Sequence, residues 1–150
     1  MYTSIFDLFK IGIGPSSSHT VGPIVAANKF IRYIQDKYAL KNIISINIEL
    51  FGSLAYTSIG HKSIDGIIIG LNGIKPDEID DTVIKNVLNK SYIKLSKNIK
   101  IKFNKDKNII LNTEYTDKEH SNVLKFSCVL KSNEIDEKIL KVTTQLDEYS

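Results

Sequence analysis

Val21-Gly22-Pro23-Ile24-Val25-Ala26-Ala27-Asn28-Lys29-Phe30-Ile31-Arg32-Tyr33-Ile34-Gln35-Asp36-Lys37-Tyr38 is followed shortly by Ile44-Ser45-Ile46-Asn47-Ile48-Glu49-Leu50. The two stretches repeat with different periods, and that difference sets the fold class. In the first, Ile24, Ala27, Ile31, Ile34 and Tyr38 recur at spacings of three or four, one apolar face of an α-helix running from about Val21 to Tyr38. Thr20 or Gly22 is the expected cap, and Pro23 is tolerated in the first turn. In the second, Ile44, Ile46, Ile48 and Leu50 alternate with Ser45, Asn47 and Glu49, the period of a strand with one buried face.

Downstream, Gly52 ends the strand and delivers the chain to Ser53. Leu54 to Ile59 suggests a short helix that Gly60 breaks. Ile64, Ile67, Ile68 and Leu71 then have helical spacing, with Ser63 as cap and Gly73 as stop, although Ile67-Ile68-Ile69 also fits a buried strand. Pro76 and Asp77 open another helix, with Ile79, Val83, Val87 and Leu88 on one face. The second half turns to strand patterns. Ile99, Ile101 and Phe103 alternate with lysines, and the polar run Asn104 to Asn108 before Ile109-Ile110-Leu111 predicts a hairpin. Leu124, Phe126, Cys128 and Leu130 predict a strand, and Ser132-Asn133 a turn. Glu134 to Thr144 carries both strand and helix signals, of which the strand is preferred. The sum is one α/β domain over residues 1–150: a mixed sheet with helices packed on it, helices mainly in the first half and antiparallel strands in the second.

A chain of 150 residues can bury a full core without metals or disulfides. Net charge is +3, from 20 basic and 17 acidic residues. The lysines are dispersed among Asn, Asp and Glu, which points to a solvated surface and away from nucleic acid. Cys128 is the single cysteine, so no internal disulfide forms. No apolar run of about 18 residues suggests a membrane span, and the N-terminus lacks the pattern of a signal peptide. A cytoplasmic protein is expected.

Upstream of the first helix lies Gly12-Ile13-Gly14-Pro15-Ser16-Ser17-Ser18-His19-Thr20-Val21-Gly22-Pro23. Glycines allow close backbone approach to a ligand. Hydroxyls and free N–H groups just before a helix suit an anion, and His19 can move a proton near neutral pH. This stretch resembles the N-terminal motif of the β domain of iron–sulfur L-serine dehydratases, as do the preceding Ser4-Ile5-Phe6-Asp7-Leu8-Phe9-Lys10 and the later Phe51-Gly52-Ser53-Leu54-Ala55 and Gly60-His61-Lys62-Ser63-Ile64-Asp65. The resemblance is specific over about the first half and fades after Gly73. It implies a fold similar to allosteric-substrate-binding-type domains. It also implies the removal of water from L-serine, followed by release of pyruvate and ammonia.

That reaction needs a base for the α-proton, an electrophile for the departing hydroxyl and a holder for the carboxylate. In the family the electrophile is a 4Fe–4S cluster, and such clusters take several cysteine ligands. A single cysteine on the inward side of a patterned strand reads as a small core residue. The cluster is therefore expected on a separate α subunit, with this chain as the β subunit and no metal ligand of its own. The resemblance makes His61 the expected base and His19 the second candidate. Ser16, Ser17, Ser18 and Thr20 are expected to hold the carboxylate, Ser53 to face the substrate, and Asp65 to orient His61 or to serve as a plain partner of the helix dipole. His120 reads as structural or exposed. One departure stands out: the family's domain usually ends in a glycine-rich stretch, whereas Val142-Thr143-Thr144-Gln145-Leu146 has no glycine. The alternative function is a non-catalytic amino-acid-binding regulatory domain. A Gly-rich phosphate-binding module is a weak third reading, because the motif lacks the Lys-Ser/Thr ending of a P-loop and follows no strand.

Overall fold

The computed structural model describes residues 21–55, 57–113 and 123–141, with backbone alone at 53–54, 57–62 and 141. Helix α1 spans Val21–Lys37, strand β1 Ile43–Phe51 and helix α2 Thr57–Leu71. Helix α3 follows at Asp81–Leu88, then strands β2 (Tyr92–Lys94) and β3 (Lys100–Lys102). A single helical turn, α4 (Lys105–Asn108), leads into β4 (Ile109–Asn112), and β5 (Val123–Leu130) and β6 (Ile135–Lys141) complete the described chain. The main sheet has the order β4-β1-β5-β6, while β2 and β3 form a separate two-stranded sheet.

Strand β1 is central and mixed: it runs parallel to β4 and antiparallel to β5. Its Ile46, Ile48 and Leu50 are fully buried or nearly so, as are Leu124, Phe126 and Cys128 of β5 on the same side. Helix α1 covers that side with Ala27, Phe30, Ile31 and Ile34. Phe30 stacks on Phe126 with ring centroids 5.0 Å apart, a packed aromatic pair that adds to the area it buries. The predicted helix and strand at the head of the chain therefore form as expected. So do β5, the Ser132-Asn133 turn with Asn133 at φ 69°, and β6.

Four local expectations change. Ile44 does not join the buried row: β1 slips register between Ile43 and Ser45, so Ile43 is buried and Ile44 is 49% exposed. This β-bulge places one extra residue on one strand and flips its side. Secondly, Gly60 does not break a helix, because α2 runs unbroken from Thr57 to Leu71. Ser63 is consequently an interior, fully buried helix residue rather than a cap. Packing along the Ser63, Ile67 and Leu71 side outweighs the roughly 1 kcal/mol that a helical glycine costs. Thirdly, Pro76 opens only a short 3₁₀ turn, Pro76–Glu78; α3 begins after Asp80, whose carboxylate accepts from the Val83 N–H at 2.8 Å. Finally, the Ile99–Leu111 hairpin is absent. β3 pairs with β2, and β4 pairs in parallel with β1. Asn104 caps α4 by accepting from Asp106 N, and Asn108 donates to Ile46 O at 3.2 Å and to Asn47 Oδ1 at 2.9 Å. These bonds send the chain along β1 instead of back along β3.

Candidate functional site

Strand β1 ends at Phe51, opposite Asn112 at the end of β4, so two parallel strands finish side by side. Outside the carboxyl ends of parallel strands the sheet leaves a crevice where ligands bind in open α/β folds. The chain turns here through Gly52, whose φ of 66° is left-handed, a conformation that costs glycine nothing. The turn Gly52–Ala55 packs against β1, β4 and α2. Ser53 is therefore carried at the strand ends, and α2 starts two residues after the turn.

His61 lies in the second turn of α2, and Asp65 follows four residues on. At 3.6 residues per turn these positions share a face, and Asp65 is exposed. Position 61 lies nine residues before Gly70, two and a half turns, so it falls on the opposite side of α2 from Gly70.

Gly70 faces α1. A Cβ there would stand 2.5 Å from the Ile24 carbonyl oxygen and 2.7 Å from Ala27 Cβ. Across the same contact the Asn28 side-chain amide donates to Gly70 O at 2.9 Å, which also accepts from Gly73 N–H, and to Ile74 O at 3.1 Å just beyond the helix. The first turns of α1 are thus fixed against the last turn of α2. Asn28 was not singled out from the sequence. Its only signal is a poor helix former beside the apolar face of α1, between Ala27 and Ile31. The N-terminus of α1 directly continues the Gly12–Thr20 stretch, and its first turn holds no acidic residue to neutralise the positive helix end.

Ser53, His61 and Asp65 are thereby placed at the strand ends and on the adjoining helix. Ser16, Ser17, Ser18, His19 and Thr20 lie outside the described residues, as do His120, the Ser4–Lys10 segment and the glycine-free Val142–Leu146 run. The expected meeting of His19 and His61 in one pocket falls outside them too.

The residues present do not fit a 4Fe–4S cluster. Cys128, the single cysteine of the sequence, is fully buried in β5. Burial, with the Asp136 charge adding to it, pushes its thiol pKa up, away from the thiolate that ligates iron. Among the described residues no group of three His, Cys, Asp or Glu side chains is placed to hold a metal ion. No described helix is long and apolar enough to cross a membrane.

Residues 4–142 match the family described as serine dehydratase beta chain. The chain belongs to that family. Its similarity extends to curated proteins named L-serine dehydratase. The one from Streptomyces coelicolor is 37% identical over 126 residues, covering 81% of this chain and 28% of the relative. The one from Helicobacter pylori strain J99 is 37% identical over 145 residues, 94% of this chain and 30% of the relative. That from Mycobacterium bovis reaches 49% identity over a shorter segment of 79 residues, 53% of this chain and 17% of the relative. The chain therefore spans less than a third of the length of these relatives. Within it, the turn after β1 and the start of α2 coincide with the second of the two sequence motifs.

Proposed function

We propose that this chain is the β subunit of an iron–sulfur L-serine ammonia-lyase, converting L-serine to pyruvate and ammonia together with a separate cluster-bearing α subunit. The observation that carries the reading is the placement of the Ser53 turn at the carboxyl ends of parallel β1 and β4, running directly into the helix that bears His61 and Asp65. The similarity to proteins named L-serine dehydratase supplies the substrate. The single, buried thiol is why the 4Fe–4S cluster is assigned to the other polypeptide.

In this reading the imidazole of His61 takes the α-proton, and Asp65, one helical turn on, holds that ring in the productive orientation. Ser16, Ser17, Ser18 and Thr20 present hydroxyls and N–H groups to the substrate carboxylate, at the positive end of α1. His19 joins them as a substrate binder, and Ser53 faces the substrate from the strand ends. The contact of Gly70 and Asn28 holds the start of α1 against the end of the helix that bears His61.

Kinetics of the enzyme assembled with its α subunit test this. His61→Ala should keep the cluster absorbance and bind serine, yet lose on the order of 10²–10⁴ in turnover. His19→Ala should raise KM as well. Near-normal turnover by the cluster-loaded His61 variant would move the base elsewhere. The β chain purified alone under anaerobic conditions with iron and sulfide should be colourless and inactive; a brown, active chain would sink the subunit assignment.

A further inference from the structure

Lysines that read as dispersed in the sequence are gathered by the β2–β3 hairpin. From Lys90 to Lys107 there are seven lysines against one aspartate, a local +6 in a chain of net +3, so all remaining residues together sum to −3. The fold sorts this segment by side. Ile93 and Ile101 face each other across the hairpin and are buried, with Leu95 and Phe103 beside them in the core. The outward side then carries Tyr92 opposite Lys102 and Lys94 opposite Lys100. The hairpin closes through Leu95 N–H to Ile99 O at 2.8 Å, which brings exposed Lys97 to its tip.

An ordinary solvated hairpin pairs opposite charges across its strands. Here like charges stand directly opposite at Lys94 and Lys100, an arrangement that destabilises a two-stranded sheet. Among the described residues no carboxylate forms an ion pair with Lys94, Lys97, Lys100 or Lys102. The outward face of the hairpin is therefore strongly positive.

We propose that the outward face of the β2–β3 hairpin is a docking surface for a carboxylate-rich protein surface. Under the reading above, on which this identification of the partner rests, that surface belongs to the α subunit. The chemistry selects carboxylates over nucleic acid. Single-stranded nucleic acid is held by open aromatic faces and arginines. The one aromatic ring on this face, Tyr92, is covered by Lys100 Nζ at 4.5 Å from its centroid, and the segment holds no arginine. The buried isoleucines beneath keep the lysines on a fixed platform, so little ordering is lost when a partner binds.

The test uses the full chain with labelled poly-L-glutamate and labelled oligothymidine as separate probes, and the triple variant Lys94→Gln, Lys100→Gln, Lys102→Gln. Removing the opposed charges should leave the melting temperature within roughly 3 °C of wild type, which separates lost binding from lost folding. Wild type should bind polyglutamate more tightly than oligothymidine, with affinity falling steeply as salt rises from about 50 mM. The variant should bind at least about tenfold more weakly, as loss of several charge-assisted contacts requires. Equal polyglutamate binding by wild type and variant, or tighter binding of oligothymidine, overturns the proposal. In the assembled enzyme, carbodiimide should couple the hairpin lysines to α-subunit carboxylates. Coupling only through other lysines overturns the assignment of the partner. If no α subunit assembles with the chain, the subunit reading fails, and the polyglutamate comparison still decides the surface.

Discussion

Asp136 sits on the helix-facing side of β6, paired with Cys128 of β5. Its carboxylate accepts from the Tyr33 hydroxyl at 2.7 Å and from the Tyr38 hydroxyl, and meets Lys37 Nζ at 3.1 Å. The Tyr38 hydrogen bond, followed by those of Tyr33 and Lys37, holds the Asp136 pKa below its ordinary value. The folded-state pKa being the lower one, this stabilisation is present above the unfolded value near 3.9 and is lost as pH falls through the folded value. Asp136→Asn should therefore cost about 1–2 kcal/mol at pH 7. In urea titrations the gap seen at pH 7 should narrow as pH falls below the unfolded value near 3.9, and an unchanged gap in acid would refute the assignment. Lys37 is more than half exposed, at 52% of its side chain, so solvent screens its pair and Lys37→Ala should change stability little. None of this latch was legible in the sequence, because Asp136 lies 103 residues from Tyr33 and 98 from Tyr38 and no local period connects them.

Between elements, the approach of α1 to α2 at Gly70 sets the constraint. Gly70→Ala would gain about 1 kcal/mol of helix propensity. Its new methyl, however, would meet a backbone oxygen at 2.5 Å and an alanine Cβ at 2.7 Å, neither of which can rotate aside. The helices must part, and a net loss of about 1–3 kcal/mol is expected in chemical denaturation. Gly73→Ala serves as a contrast: nothing lies within 4 Å of its Cβ, and only its φ of +79° opposes the change. Both variants should lose stability, but only Gly70→Ala should also raise the KM for serine, since it displaces the start of α1. Equal KM values would detach this contact from the site. The elements themselves were largely legible, because α1, β1 and β5 each repeat a single period, whereas the segment of β6 carries two. Their partners were not. Ile109-Ile110-Leu111 looks the same whether it returns along β3 or crosses to β1, and the decision rests with Asn108, whose bonds reach residues 61 and 62 positions away. Gly60 misled for the same reason: propensity is local, and the burial that keeps α2 whole is not.

Over the whole molecule the motifs and the fold are distributed differently. Both resemblance motifs fall before Gly73, and the placement of Ser53, His61 and Asp65 follows the second of them. The sheet on which they rest is closed much later. β1, the central strand, comprises residues 43–51, and its two neighbours begin at residues 109 and 123. During synthesis the ribosome thus releases the motif-bearing half with its central strand unpaired on both edges. Loop closure over some sixty or more residues must then precede any gain from pairing, which is the circumstance that slows folding and leaves a chain open to aggregation. A fragment ending at residue 105 should be degraded rapidly in limited proteolysis, although it holds every proposed contact to serine. Supplying residues 106–150 as a separate peptide should restore resistance. A protease-resistant fragment on its own would show that the first half is a folding unit; otherwise the half that carries the chemistry depends for its shape on the half that carries none.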